Sequence, residues 1–124
     1  MSQDIISDGL NQMMNALRAR KSSVVIKKTS KIFSSILAIA KLKGYIKEYK
    51  LTNNELKVEF EKLNKCQAIK PRYMVSVDEI GKFVKRYLPA KNFGIIIIST
   101  SKGLMTHQTA IEKNIGGCLV AYMY

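Results

Sequence analysis

Apolar residues at the start of the chain recur at helical spacing. Ile6, Leu10, Met13, Met14 and Leu17 fall at i, i+4, i+7, i+8 and i+11, one stripe of a helix predicted over Asp4 to Ala19. Ser2 can cap it, Asp4 suits the positive end of its dipole, and Arg18, Arg20 and Lys21 suit the negative end. Asp8, Asn11 and Asn15 share a second face, where a solvated surface is the simplest reading. Val24-Val25-Ile26 reads as a short strand closed by Lys27-Lys28. Thr29 or Ser30 can then cap a second helix, with Ile32, Phe33, Ile36, Leu37 and Ala40 as its buried face and Gly44 as its stop.

Period two takes over next. Two strands flank a turn at Thr52-Asn53-Asn54, and in the second of them Leu56, Val58 and Phe60 alternate with Lys57, Glu59 and Glu61. From Asn64 to Pro71 no period holds, and this stretch is expected to be a connection. Tyr73 to Val77 is a predicted strand. Asp78 is placed to cap a helix that buries Ile80, Phe83, Val84 and Tyr87 and stops at Leu88-Pro89. Ile95 to Ile98 are four consecutive β-branched residues, too few to span a membrane, and they predict a central strand buried on both faces. It opens into Ser99-Thr100-Ser101, a cation at Lys102 and a flexible Gly103. Thr106 can cap a short helix from His107 to about Asn114, ended by Gly116-Gly117, and Cys118 to Tyr124 is the last strand. The pattern gives an α+β fold in two small α/β subdomains. Residues 1–64 form an N-terminal helix-strand-helix-hairpin, and residues 65–124 form a C-terminal subdomain of mixed strands and short helices that carries the Ser-Thr-Ser-Lys-Gly turn.

Charge narrows the partner. The chain carries 21 Lys and Arg against 9 Asp and Glu, a net +12 over 124 residues, which calls for an anionic partner. Up to Asn64 there are 12 basic and 6 acidic residues, and beyond it 9 and 3, so each part carries +6 and no basic tail accounts for the excess. Nucleic acid and a lipid surface are the two candidates. No run approaches the roughly 20 apolar residues of a spanning helix, and no secretory signal opens the chain. Cys66 and Cys118 show no C-x-x-C spacing, which gives little support to a metal site or a disulfide scaffold.

Enzyme chemistry finds little footing. A nucleophilic Ser99 or Ser101 would need a base, and the single His107 has no acid near it in sequence and no G-x-S-x-G elbow. Lys102 precedes Gly103, the reverse of the P-loop order, and no glycine opens that loop. His107 reads as an exposed helix residue rather than a metal ligand. An amphipathic membrane helix would need the apolar face of the second helix, which the hairpin already requires. Structured RNA fits best. Its shallow minor groove displays 2′-hydroxyls that Ser and Thr can both donate to and accept from, and Lys102 can neutralise a nearby phosphate.

The stretch Gly94-Ile-Ile-Ile-Ile-Ser-Thr-Ser-Lys-Gly-Leu-Met-Thr106, then Gly116-Gly117 and a final strand to Tyr124, closely resembles the small-subunit ribosomal protein eight family. Asp4, Asp8, Asn15 and Ala16 in the first helix match it, as do Ser30-Lys31 opening the second, so the resemblance runs the full length. Asn64-Lys65-Cys66, Pro71-Arg72-Tyr73 and Lys85-Arg86-Tyr87-Leu88-Pro89-Ala90 resemble its archaeal and eukaryotic cytoplasmic branch. The resemblance implies a cytoplasmic protein on the ribosome that binds the central domain of small-subunit rRNA and supports subunit assembly beside neighbouring ribosomal proteins. It implies no catalytic centre, cofactor, metal, membrane or small-molecule substrate. It also implies RNA contact at Ser99, Thr100 and Ser101, with Lys102 and Gly103 beside them, and at Asn15, Ser30 and Lys31. The chain departs from the family where archaeal relatives tend to carry His-Arg-Glu-Ala and then Lys or Arg. Here His107-Gln108-Thr109-Ala110-Ile111 removes a capping-box Glu and two cations. Gln67 stands where the family often has Gly.

Overall fold

The computed structural model describes residues 5–27, 30–53, 55–69, 73–90 and 93–124. The chain divides into two compact units, Met1–Gln67 and Ala68–Tyr124. Ser2, Asp4, Lys28, Thr29, Asn54, Pro71 and Arg72, which the sequence analysis invokes, lie outside the described residues.

The first unit sets helices α1 (Ile5–Arg18) and α2 (Lys31–Leu42) on an antiparallel sheet of β1 (Ser23–Ile26), β2 (Ile46–Thr52) and β3 (Glu55–Phe60), in the order β1-β3-β2. Leu10 and Met13 of α1, Phe33, Ile36, Leu37 and Ala40 of α2, and Leu56 and Val58 of β3 are buried, so the helical and alternating periods meet in one core. Ile32 departs from the expected face and is exposed, because it falls outside the i, i+3, i+4 stripe that Phe33 begins. Phe60 is half-buried at the strand end. Helix α2 ends as its glycine predicts. The Gly44 N–H donates to the Lys41 carbonyl and the Tyr45 N–H to the Ala40 carbonyl, with Gly44 at φ +85°. Arg20 does the same for α1 at φ 58°, with the Lys21 N–H donating to the Ala16 carbonyl across 3.0 Å.

The second unit is organised on β6 (Ile95–Thr100), which pairs antiparallel with β7 (Gly103–Thr106) on one side and β8 (Gly117–Met123) on the other. The sheet order is β4-β8-β6-β7, where β4 is Cys66–Ala68, and β5 (Met74–Val75) also pairs with β8. All four isoleucines are buried, as their pattern predicts. Ile96 and Ile98 pack with Ile80, Val84 and Leu88 around α3 (Ile80–Tyr87) and with Ala110 of α4 (His107–Glu112).

Four sequence expectations change. The connection from Asn64 to Pro71 contains β4, too short for its period to be read. The strand predicted over Tyr73 to Val77 shrinks to Met74–Val75. The helix after it starts from a Val77–Glu79 turn of 3-10 type, and Ser76 rather than Asp78 is its cap. There the Glu79 carboxylate accepts from the Ser76 N–H and Oγ, both at 3.0 Å. Those two bonds hold the Glu79 carboxyl below the usual carboxylate range. The fourth change is at Gly116-Gly117, which does not end α4: Asn114 does, at φ 56°, with the Ile115 N–H on the Ala110 carbonyl.

Candidate nucleic-acid interface

The Ser99–Gly103 corner is the tip of the β6–β7 hairpin. Thr100 pairs with Gly103, leaving Ser101 and Lys102 as a two-residue loop. Such tight loops need a left-handed residue nearby, and Gly103 supplies it at φ +106°. The Thr100 side chain closes the loop from inside. Its Oγ1 donates to the Gly103 carbonyl at 2.8 Å and accepts the Lys102 N–H at 3.1 Å. A hydroxyl has one donor and two acceptor sites, so these bonds leave Thr100 one lone pair. Ser99, Ser101, Lys102 and Gly103 are exposed. The chain thus passes within one residue from a buried Ile98 to an exposed Ser99.

Gly116 and Gly117 support this corner from behind. A Cβ on Gly117 would collide with the Ser99 carbonyl and approach Ile98 Cγ2 to 2.9 Å. One on Gly116 would collide with the Val75 carbonyl and come within 3.0 Å of Ser76 Cα. The paired glycines let β8 lie close to β5 and β6 at once. Their place after a helical stretch predicts a helix end; the strand pattern that follows from Cys118 is the signal that the pair instead opens β8.

His107 is not the exposed residue expected. It is 3% exposed, and its Nδ1 accepts the Ile96 N–H at 3.1 Å, which clamps α4 to β6. Thr106 caps α4 as expected, with Oγ1 accepting the Thr109 N–H at 3.3 Å. Among the described residues no three His, Cys, Asp or Glu side chains gather as a metal would require.

The remaining predicted contacts lie in the first unit. Asn15 is exposed and lies with Asn11 and Arg18 on one face of α1, at i, i+4 and i+7. The three border a recess of about 380 Å³, opposite Lys65 and Gln67. Cys66 positions that opposite wall. Its N–H donates to Met14 Sδ at 3.2 Å, its Sγ donates to the Leu10 carbonyl at 3.6 Å, and burial pushes its thiol up to about 12. Arg18 and Lys65 join Asn15 here beyond the sequence expectation; the Asn11–Asn15 spacing continued by three residues reaches Arg18, whereas no local spacing points to Lys65.

Ser30 caps α2, its Oγ accepting the Phe33 N–H at 3.2 Å, a bond that leaves the hydroxyl hydrogen uncommitted. Lys31 is the first residue of α2 and is exposed. The first turn of α2 holds no acidic residue, so a cation stands at the positive end of the helix dipole. That arrangement is unfavourable alone and favourable once an anion docks. Both units therefore present hydroxyls and cations on ordered backbone.

The family model for ribosomal protein S8 matches residues 4–124. The small ribosomal subunit protein uS8 of Nanoarchaeum equitans (strain Kin4-M) is 41% identical over 129 residues, with 100% of each chain covered.

Proposed function

Because the chain belongs to the ribosomal protein S8 family, we propose that it is a structural constituent of the small ribosomal subunit that binds the central domain of small-subunit rRNA and supports assembly. The observation that carries this reading is the exposed Ser99–Gly103 corner on a strand whose four isoleucines are buried. A corner held so firmly loses little conformational entropy when it docks. Ser99 and Ser101 offer hydroxyls to riboses, Thr100 offers its remaining lone pair, Gly103 admits a close backbone, and Lys102 faces phosphate. Asn15, Ser30 and Lys31 make the contacts of the first unit, with Lys31 beside a phosphate at the start of α2. Neighbouring ribosomal proteins are the other partners, and the ribosome in the cytoplasm is the place of action.

A lipid-surface role would need the apolar face of α2, yet Phe33, Ile36, Leu37 and Ala40 are at 0% exposure. Among the described residues no helix is long and apolar enough to cross a membrane. Filter binding to a transcript of the rRNA central domain tests the proposal, with an unrelated RNA hairpin as competitor. Saturable binding that survives the competitor is expected. Equal affinity for both RNAs, or preference for anionic vesicles, would overturn it.

A further inference from the structure

Away from the hairpin tip, the second unit holds a cleft of about 480 Å³ between α3 and α4, within the roughly 300–1,000 Å³ of ligand clefts. Val84, Leu88, Pro89 and Ala90 make one wall and Ile111 the other. Ile111 is 46% exposed, and Phe93, bridged to Ala90, is 48% exposed. Among the described lining residues Lys85 is the one charged side chain, and Gln108 is neutral.

We infer that this cleft receives a large apolar side chain from a protein partner whose segment carries a carboxylate beside that side chain. An apolar wall with an open mouth favours burial of an anchor residue. Lys85 is exposed and meets no acidic lining residue, so a carboxylate on the occupant is its complement there. RNA fits poorly, since the one aromatic ring in the described lining, His107, is buried and bonded to the Ile96 N–H rather than open for base stacking, and α4 adds no cation to the lining. A second copy fits poorly too, because a +12 chain would bring mostly positive surface against Lys85. The inference is independent of which rRNA helix the hairpin tip engages.

Methyl-resolved NMR of the purified full chain tests it, with acetyl-Asp-Phe-amide and acetyl-Phe-Asp-amide as probes. At least one probe should shift the Val84, Leu88 and Ile111 methyls saturably. Replacing its Asp by Asn should weaken binding roughly threefold to fivefold, the worth of one ion pair at a rim. Lys85→Glu should weaken it at least as much, and Ile111→Arg should abolish the shifts at the other two residues. Both positions are exposed, and unchanged spectra elsewhere will confirm that each variant is folded. Absence of saturable shifts with either probe, equal binding of the Asn probes, or a response of the same methyls to an RNA hairpin or to dilution of the protein would overturn the inference.

Discussion

The Nδ1 of His107 accepts the backbone N–H of Ile96 across 3.1 Å, so the first residue of α4 is bonded to the strand that carries the candidate RNA corner. A buried N–H deprived of its acceptor costs about 1–3 kcal/mol. His107→Phe, which keeps the ring and removes the acceptor, should therefore destabilise the chain by that amount in urea titration. His107→Asn, which keeps an acceptor at the same reach as Nδ1, should recover part of the loss.

At the hairpin tip, Ser101→Ala should weaken rRNA binding by about 1 kcal/mol or more, as one exposed hydroxyl contact is lost. Thermal melting should be unchanged. Filter binding decides, and unchanged affinity in a folded variant would remove Ser101 from the contact surface.

Thr100→Val should behave differently from Ser101→Ala. Thr100 Oγ1 bonds both the Gly103 carbonyl and the Lys102 N–H, so its loss loosens the loop itself. The expected result is reduced protection of the Lys102 amide in hydrogen exchange, together with weaker rRNA binding.

Lys31→Ala and Lys102→Ala should each lower the slope of log affinity against log salt by about one unit or less, since each removes one phosphate neutralisation. Affinity measured across a salt series reads this directly.

The thiol of Cys66 supplies a pH signature. Burial raises it from 9.0 to about 12 in the folded chain, so the proton is held more tightly folded than unfolded. Its contribution is complete below pH 9 and is lost as pH rises from there towards 12. Between pH 9 and 12 each unit should remove up to about 1.4 kcal/mol of stability. Cys66→Ala should flatten this alkaline decline relative to the parent in paired denaturant titrations.

Gly9 tests how the first unit is packed. A Cβ there would lie 2.6 Å from the Phe33 ring, so Gly9→Ala overpacks the α1–α2 contact despite its better helix propensity. Net destabilisation of about 1–2 kcal/mol is expected, and adding Phe33→Leu should relieve part of it.

Local pattern alone determined the α+β class, the amphipathic helices, the alternation along β3, the buried isoleucine strand, a cap at Thr29 or Ser30, the stop at Gly44 and the cap at Thr106. Each depends on neighbours a few residues apart, where spacing is close to geometry. The order β4-β8-β6-β7 belongs to tertiary structure. So do the burial of His107 against Ile96, the narrow approach at Gly116 and Gly117, and the placing of Lys65 opposite Asn15 by Cys66. Those pairings join residues far apart in sequence, and no local period records which backbone will come close enough to need a glycine or an acceptor.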